Sequence, residues 1–272
     1  MKLANNRKAK LSELALSYSK EFKTESELPD LNSIALSEDI KIIYDHYKTS
    51  FEGMTICQEG EFYIHIDLDS VKDVESGRAR FTLAHELAHS LIDEHRLGLL
   101  TGVFEPHVSD YLLGNDDKLI ELEADYFASS LLMPEDYFRK KAKEFSGTFS
   151  VEMIYFLADY FKTSIMATLL RFVEIGTESI FITYCKNKKI KWYSKSIDFP
   201  DWPMKFRVGG EVPENTIVGN YYRNNKEKTT EIETVEKEAW FYPKSDLEFN
   251  LKEQCIYVEE YDYIISILWF SG

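Results

Sequence analysis

Apolar and polar positions along the chain change their period near its last third, and that change divides it into a helical part and a β-rich part. Near the start, Leu11, Leu14, Ala15 and Tyr18 recur at helical spacing and predict one short helix. A second helical stripe runs through Ala84, Leu87, Ala88, Leu91 and Ile92, with Ser76 and Gly77 placed to cap its start. A third helix is predicted over residues 116–133, capped by Asn115 or Asp116 and stopped by Pro134. Residues 150–174 read as two packed helices, with Leu157, Ala158 and Phe161 on the first and Ile165, Leu169 and Phe172 on the second. From about Glu178 the pattern alternates. Ile180, Ile182 and Tyr184 form one strand, Ile190 and Trp192 lie in the next, and Lys186-Asn187-Lys188 makes the turn between them. Residues 227–242 and 254–270 each read as strands, with Tyr257, Tyr261, Ile265 and Leu268 expected inside.

Composition narrows the picture. The 272 residues, 44% of them apolar, suffice for one large or two small domains with a full core. Three widely spaced cysteines, Cys57, Cys185 and Cys255, argue against a disulfide framework and suit a reducing cytosol. Met1 to Lys10 is basic but no apolar stretch follows it, and the longest apolar run, Tyr263 to Phe270, is too short to span a bilayer. A soluble, cytoplasmic protein with no membrane partner is expected. The net charge of −15 speaks against direct nucleic-acid binding, which needs clustered cations. The one basic stretch, Lys2, Arg7, Lys8 and Lys10, reads as a solvated terminal helix. Arg171 is the only base on the second helix of the 150–174 pair, so that pair reads as a packing element.

The candidate chemistry lies on the second and third helices. Residues 85–89 read His-Glu-Leu-Ala-His. Residues four apart on a helix share a face, so His85 and His89 can point at one zinc ion. Glu86 beside them has the chemistry of a general base that deprotonates the attacking water. The site face is expected to carry Thr82, His85, His89 and Asp93. Residues 121–125 read Glu-Leu-Glu-Ala-Asp. Glu121 and Asp125 share a face, and the small Ala124 and Ala128 would let this helix come close to the histidine helix. Glu121 is assigned as third ligand over Glu123, which points to nearly the opposite side. Asp125 would hold the N–H of a ligand histidine and fix its tautomer.

FTLAHELAH over residues 81–89 followed by ELEADYFASSLLMP over 121–134 resembles the ImmA/IrrE family of zinc metallopeptidases. The likeness extends over roughly 28–176: a Leu-Pro near a helix start, a strand from Ile40 to Tyr44, a turn containing Gly53, a strand around Tyr63 to Asp67, and the helices up to 175. It implies an α+β fold, in which residues 1–27 are a helical lead-in and 28–176 a mostly helical zincin-like metallopeptidase domain with a small sheet. Residues 177–272 are then a smaller β-rich domain. Position by position, His85, His89 and Glu121 match the family's zinc ligands and Glu86 its catalytic glutamate. Where many members have a further histidine, this chain has Asp93, with His95 two residues on. A DNA-binding helix-turn-helix, which many members carry, is not expected in the short N-terminal segment.

The resemblance further implies a zinc-dependent endopeptidase that cuts a separately encoded helix-turn-helix repressor and so relieves repression in a stress, phage or defence response. The alternatives are a non-cleaving regulatory or antitoxin-like binding module and a metallohydrolase for a small amide. The presence of Glu86 favours the peptidase, because a structural metal site needs no base. Tyr111, Tyr126, His95 and His107 are candidates for stabilising the oxyanion. Cys57 could cap the open metal position, though a small buried hydrophobe is the commoner role for cysteine. The dense aromatics of the last third read first as a core, and second as a ligand or partner surface. Nothing in the sequence sets an oligomeric state.

Overall fold

A computed structural model of the chain describes residues 3–104, 107–109, 118–224, 229–243 and 250–271. It is an α+β fold built as two compact units: Met1–Phe138 with Ala158–Ala167, and Arg139–Leu157 with Thr168–Gly272.

The first unit begins with helices α1 (Asn5–Glu21) and α2 (Leu31–Ser37) and strands β1 (Ile40–Asp45), β2 (Gly53–Gln58) and β3 (Glu61–Asp67). A short helix α3 (Leu68–Val71) leads to α4 (Gly77–Leu91), α5 (Asp93–Thr101), a short strand β4 (His107–Ser109) and α6 (Lys118–Leu132). The sheet order is β1-β3-β2-β4, with β1 parallel to β3 and the other pairs antiparallel. Gly53 opens a strand rather than lying in the turn the sequence suggested. The turn between β2 and β3 is instead Glu59-Gly60, both at positive φ as a tight hairpin requires.

Helix α4 packs against β2 and β3 on one side and α6 on the other, and α1 packs on α6. Ser76 caps α4 as expected, its Oγ accepting from the Ala79 N–H at 3.1 Å. From Thr82 to Leu91 every residue of α4 is buried, the mark of a central helix rather than a surface one. Leu83, Ala84, Leu87, Ala88, Phe127, Ala128 and Leu131 fill the core around it. Helix α4 ends at Leu91, so Asp93 starts α5, is exposed and does not belong to the site face. The cap positions Asn115 and Asp116 lie outside the described residues.

The chain continues through α7 (Glu135–Glu144), α8 (Val151–Phe161) and α9 (Ile165–Ile175), each assigned partly to one unit and partly to the other. Arg171 is buried and its Nη1 donates to Glu174 Oε2 at 3.0 Å. The second unit holds β5 (Ile180–Lys186), β6 (Lys189–Lys195), α10 (Ile217–Asn224), β7 (Glu233–Val235), α11 (Lys237–Trp240), β8 (Asn250–Val258) and β9 (Tyr263–Ser271). Its antiparallel sheet runs β6-β5-β9-β8-β7. Asn187 and Lys188 both adopt positive φ in the β5–β6 turn.

The last third departs from its expected strands and buried positions. The stretch 227–242 holds only the short β7 followed by a helical turn, and the run 254–270 is a hairpin of two strands that begins at Asn250. Ile265 and Leu268 are buried as expected, whereas Tyr261 is exposed and Tyr257 half-buried. The aromatics make a core: Trp240, Phe241, Phe181 and Phe199 are buried in one cluster, with Trp202 and Phe206 packed against it. The fully buried Glu253 carboxylate is accommodated there by the N–H groups of Ile217 and Val218, Trp240 Nε1–H and the Ser266 hydroxyl. All three cysteines are free. Among the described residues, no helix is long and apolar enough to cross a membrane.

Ala128 lies two turns along α6 from Glu121 and is fully buried. Ala128→Leu is expected to destabilise the protein by about 1–3 kcal/mol through overpacking. A urea midpoint unchanged from the parent would show that the helices are not held this closely.

Candidate metal centre

Two side chains come from α4 and two from α6. His85 and His89 stand one turn apart, and their Nε2 atoms approach to 3.2 Å. Glu121 brings its Oε2 to 3.1 Å from His85 Nε2 and its Oε1 to 3.7 Å from His89 Nε2. One ligand atom from each of His85, His89 and Glu121 lies within 4.8 Å of the others, the one such His/Cys/Asp/Glu group among the described residues.

The donor set fits a metal ion on two grounds. Ligands about 2.0–2.1 Å from a tetrahedral zinc stand about 3.3 Å from one another, close to the spacings here. The second ground is protonation. Asp125 Oδ1 lies 2.9 Å from His85 Nδ1 and, as a carboxylate, accepts that N–H. A neutral His85 then turns the lone pair of Nε2 towards the carboxylate of Glu121 and towards His89 Nε2. Converging lone pairs repel unless a cation lies between them. The local field favours positive charge: burial lowers the proton affinity of His85, but the hydrogen bonds to Asp125 and Glu121 outweigh it and hold the group well above the ordinary histidine range. Such a field suits a proton or a metal cation alike.

Glu86 is fully buried and leaves α4 on its sheet side. The Thr55 hydroxyl on β2 lies 2.7 Å from Glu86 Oε2, which accepts from it, and 3.0 Å from the Glu86 carbonyl oxygen. Gly53 explains how the carboxylate fits. A Cβ at that position would stand 2.6 Å from Glu86 Oε1 and 2.7 Å from both Glu86 Cγ and Thr82 Cγ2. Residues 53 and 55 point the same way from the strand, so one face of β2 carries both the gap and the hydroxyl that hold Glu86. From sequence Gly53 reads only as part of a turn, and nothing singles out Thr55. A glycine and a threonine two apart carry no local signal until the strand and its partner helix are known.

The other sequence candidates fall elsewhere. Glu123 points away from the pair of histidines, as its position on the helix demands, and accepts from His95 Nε2–H at 3.1 Å. His95 is thereby buried and engaged, which removes it as an oxyanion candidate. Tyr126 turns its hydroxyl to Ser12 of α1 at 3.1 Å, with Lys8 over its ring, so it too is directed away from the site. Tyr111 and the His107 side chain lie outside the described residues. Cys57 is not part of the converging group, so the capping idea finds no support in this geometry.

Thr55→Val keeps the shape of the side chain and removes the hydroxyl from the buried carboxylate. It is expected to cost about 1–3 kcal/mol in chemical denaturation. A variant as stable as the parent would mean that Thr55 does not hold Glu86.

Comparison with known proteins agrees with this reading of the core. No curated protein sequence matches the chain. The fold resembles a solved structure described as a Mycobacterium tuberculosis transcriptional regulator, with a TM-score of 0.58 and 13% identity over 95% of this chain and 76% of that one. At that identity the likeness is one of fold. Residues 72–173, which contain α4, α6 and every residue of the converging group, match the family model of the IrrE N-terminal-like domain, Peptidase M78. Residues 72–173 therefore carry an IrrE N-terminal-like domain, which supports the ImmA/IrrE resemblance of the two motifs.

Proposed function

We propose that the protein is a zinc endopeptidase whose substrate is a separately encoded protein of the helix-turn-helix transcriptional repressor class. The observation that carries this reading is the convergence of His85 Nε2, His89 Nε2 and the Glu121 carboxylate next to the buried carboxylate of Glu86. Two nitrogens and one oxygen are the donor set of a catalytic zinc site with a position left for chemistry, rather than of a closed structural site.

His85, His89 and Glu121 would hold the ion, and Asp125 would keep His85 in the tautomer that offers Nε2. A bound zinc supplies Lewis acidity, which lowers the pKa of a water and polarises a peptide carbonyl. Glu86 accepts the proton from the attacking water and returns it to the leaving amine nitrogen. Thr55 and Gly53 fix the direction of that carboxylate. A base held in place by a strand loses little freedom on reaching the transition state.

The substrate class rests on family resemblance, and the fold likeness to a transcriptional regulator is in keeping with it. Cutting a repressor would relieve repression in a stress, phage or defence response. A substrate that binds DNA would place the reaction in the cytosol.

Two measurements test the reading. The purified protein should bind one zinc per chain. Glu121→Ala should abolish stoichiometric binding, and Asp125→Asn should weaken it roughly 10–100-fold, as loss of a ligand-orienting partner does. A parent that binds no zinc would end the metal-centre reading. In the second, the zinc-loaded protein is incubated with candidate helix-turn-helix repressors. The parent should cut one of them, and Glu86→Gln should retain zinc and lose cleavage. Binding without cleavage by the parent would replace the peptidase with a binding module.

A further inference from the structure

Behind the converging group lies a second polar cluster that the reaction above does not use. Arg7 on α1 donates from Nε to Glu123 Oε1 at 2.8 Å, and its Nη2 pairs with Glu123 Oε2. The same guanidinium donates from Nη1 and Nη2 to the two carboxylate oxygens of Glu94 on α5, at 3.0 and 3.1 Å. The basic N-terminal helix is therefore not a solvated appendage. Leu11 and Ala15 bury its apolar side, and Arg7 reaches across to two other helices.

Glu123 is nearly buried. A carboxylate there is costly unless its charge is matched, and Arg7 matches it with a planar fork. The charged carboxylate can only accept, so His95 must present N–H at Nε2. His95 in turn lies against the face of His89, with ring centroids 5.3 Å apart and the planes tilted by 30°. His89 is fully buried and is one of the converging group. The link thus runs from Arg7 through Glu123 and His95 to the imidazole of His89, and crosses from α1 to α6 to α5 to α4.

We infer that Arg7 is a positioning residue for the metal centre, which, by holding the Glu123 carboxylate in place and so fixing the His95 ring, sets the orientation of the His89 ligand. The N-terminal helix is on this account a working part of the site. The inference rests on the metal-centre reading and adds to it a residue about eighty positions away in sequence from either histidine.

Cobalt(II), which reports its coordination by visible absorption, is titrated into the metal-free full-length chain, and zinc affinity is measured by competition with a chromogenic chelator. Arg7→Met is expected to weaken zinc binding about tenfold and to change the cobalt spectrum. Arg7→Lys should restore part of the loss, because an ammonium can serve one carboxylate but not both as a fork. Leu11→Ala is the control for docking alone. It should lower Tm while leaving the affinity and the spectrum of the folded protein as in the parent. Should Arg7→Met fail to fold, His95→Phe, which keeps a ring against His89 and removes the link to Glu123, is expected to show the same weakening and spectral change. Parent-like affinity and spectrum in the folded Arg7→Met variant, or in His95→Phe where that stands in for it, would overturn the inference. So would a Leu11→Ala variant that reproduces the loss in affinity. A parent that binds neither metal overturns the metal-centre reading, and this inference with it, which distinguishes the two failures.

Discussion

Helix α4 has no side facing water through its last ten positions, and it nonetheless carries two imidazoles and a carboxylate. Buried polar groups are tolerated only when each meets a partner of the right kind. That requirement determines what stands around the helix. The sheet must offer a hydroxyl to Glu86, and Thr55 does so. The facing helix must offer carboxylates to His85, and Glu121 and Asp125 do so. The backbones must also come close enough for these short reaches, and the residues that would stand in the way are small: Gly53 on β2, Ala124 and Ala128 on α6, Ala84 and Ala88 on α4.

Helix α6 distributes its acids by the same rule. Glu121 and Asp125 share a face and turn to the histidines, one toward Nε2 and one toward Nδ1 of His85. Glu123, two positions from either, cannot share that face and is paired instead with His95 and Arg7. Three carboxylates within five residues would repel one another on one side of a helix. Spread over two sides, with Glu121 and Asp125 at His85 and Glu123 at His95 and Arg7, they bind α6 to α1, α4 and α5 together. The second unit solves a related problem at Glu253, where burial drives the carboxyl upward in pKa and hydrogen bonds from α10, Trp240 and Ser266 oppose it, leaving it above the usual carboxylate range.

The parts of this arrangement that are local in sequence were legible there. The i,i+4 spacing of His85 and His89 fixes a shared face whatever the tertiary fold, and the same geometry separates Glu121 from Glu123. The Ser76 cap and the turn at Asn187-Lys188 are likewise short-range. The rest depends on pairing over long distances. Strand β2 contains a glycine at its start and a threonine in its middle, and only its pairing with the strands beside it makes it a strand. Residues 237–240 fall in the stretch 227–242 that reads as a strand, yet burial of Trp240 and Phe241 in the aromatic core is satisfied by a helical turn. Arg7 carried no signal at all, since its partners lie 87 and 116 residues away.

The central claim is that His85, His89 and Glu121 bind one zinc ion with nitrogen and oxygen donors alone. X-ray absorption at the zinc edge of the purified, zinc-loaded protein tests it most directly. The account predicts two imidazole ligands and oxygen donors at about 2.0–2.1 Å, with no sulfur shell. A sulfur scatterer at about 2.3 Å, or a single imidazole, would contradict it.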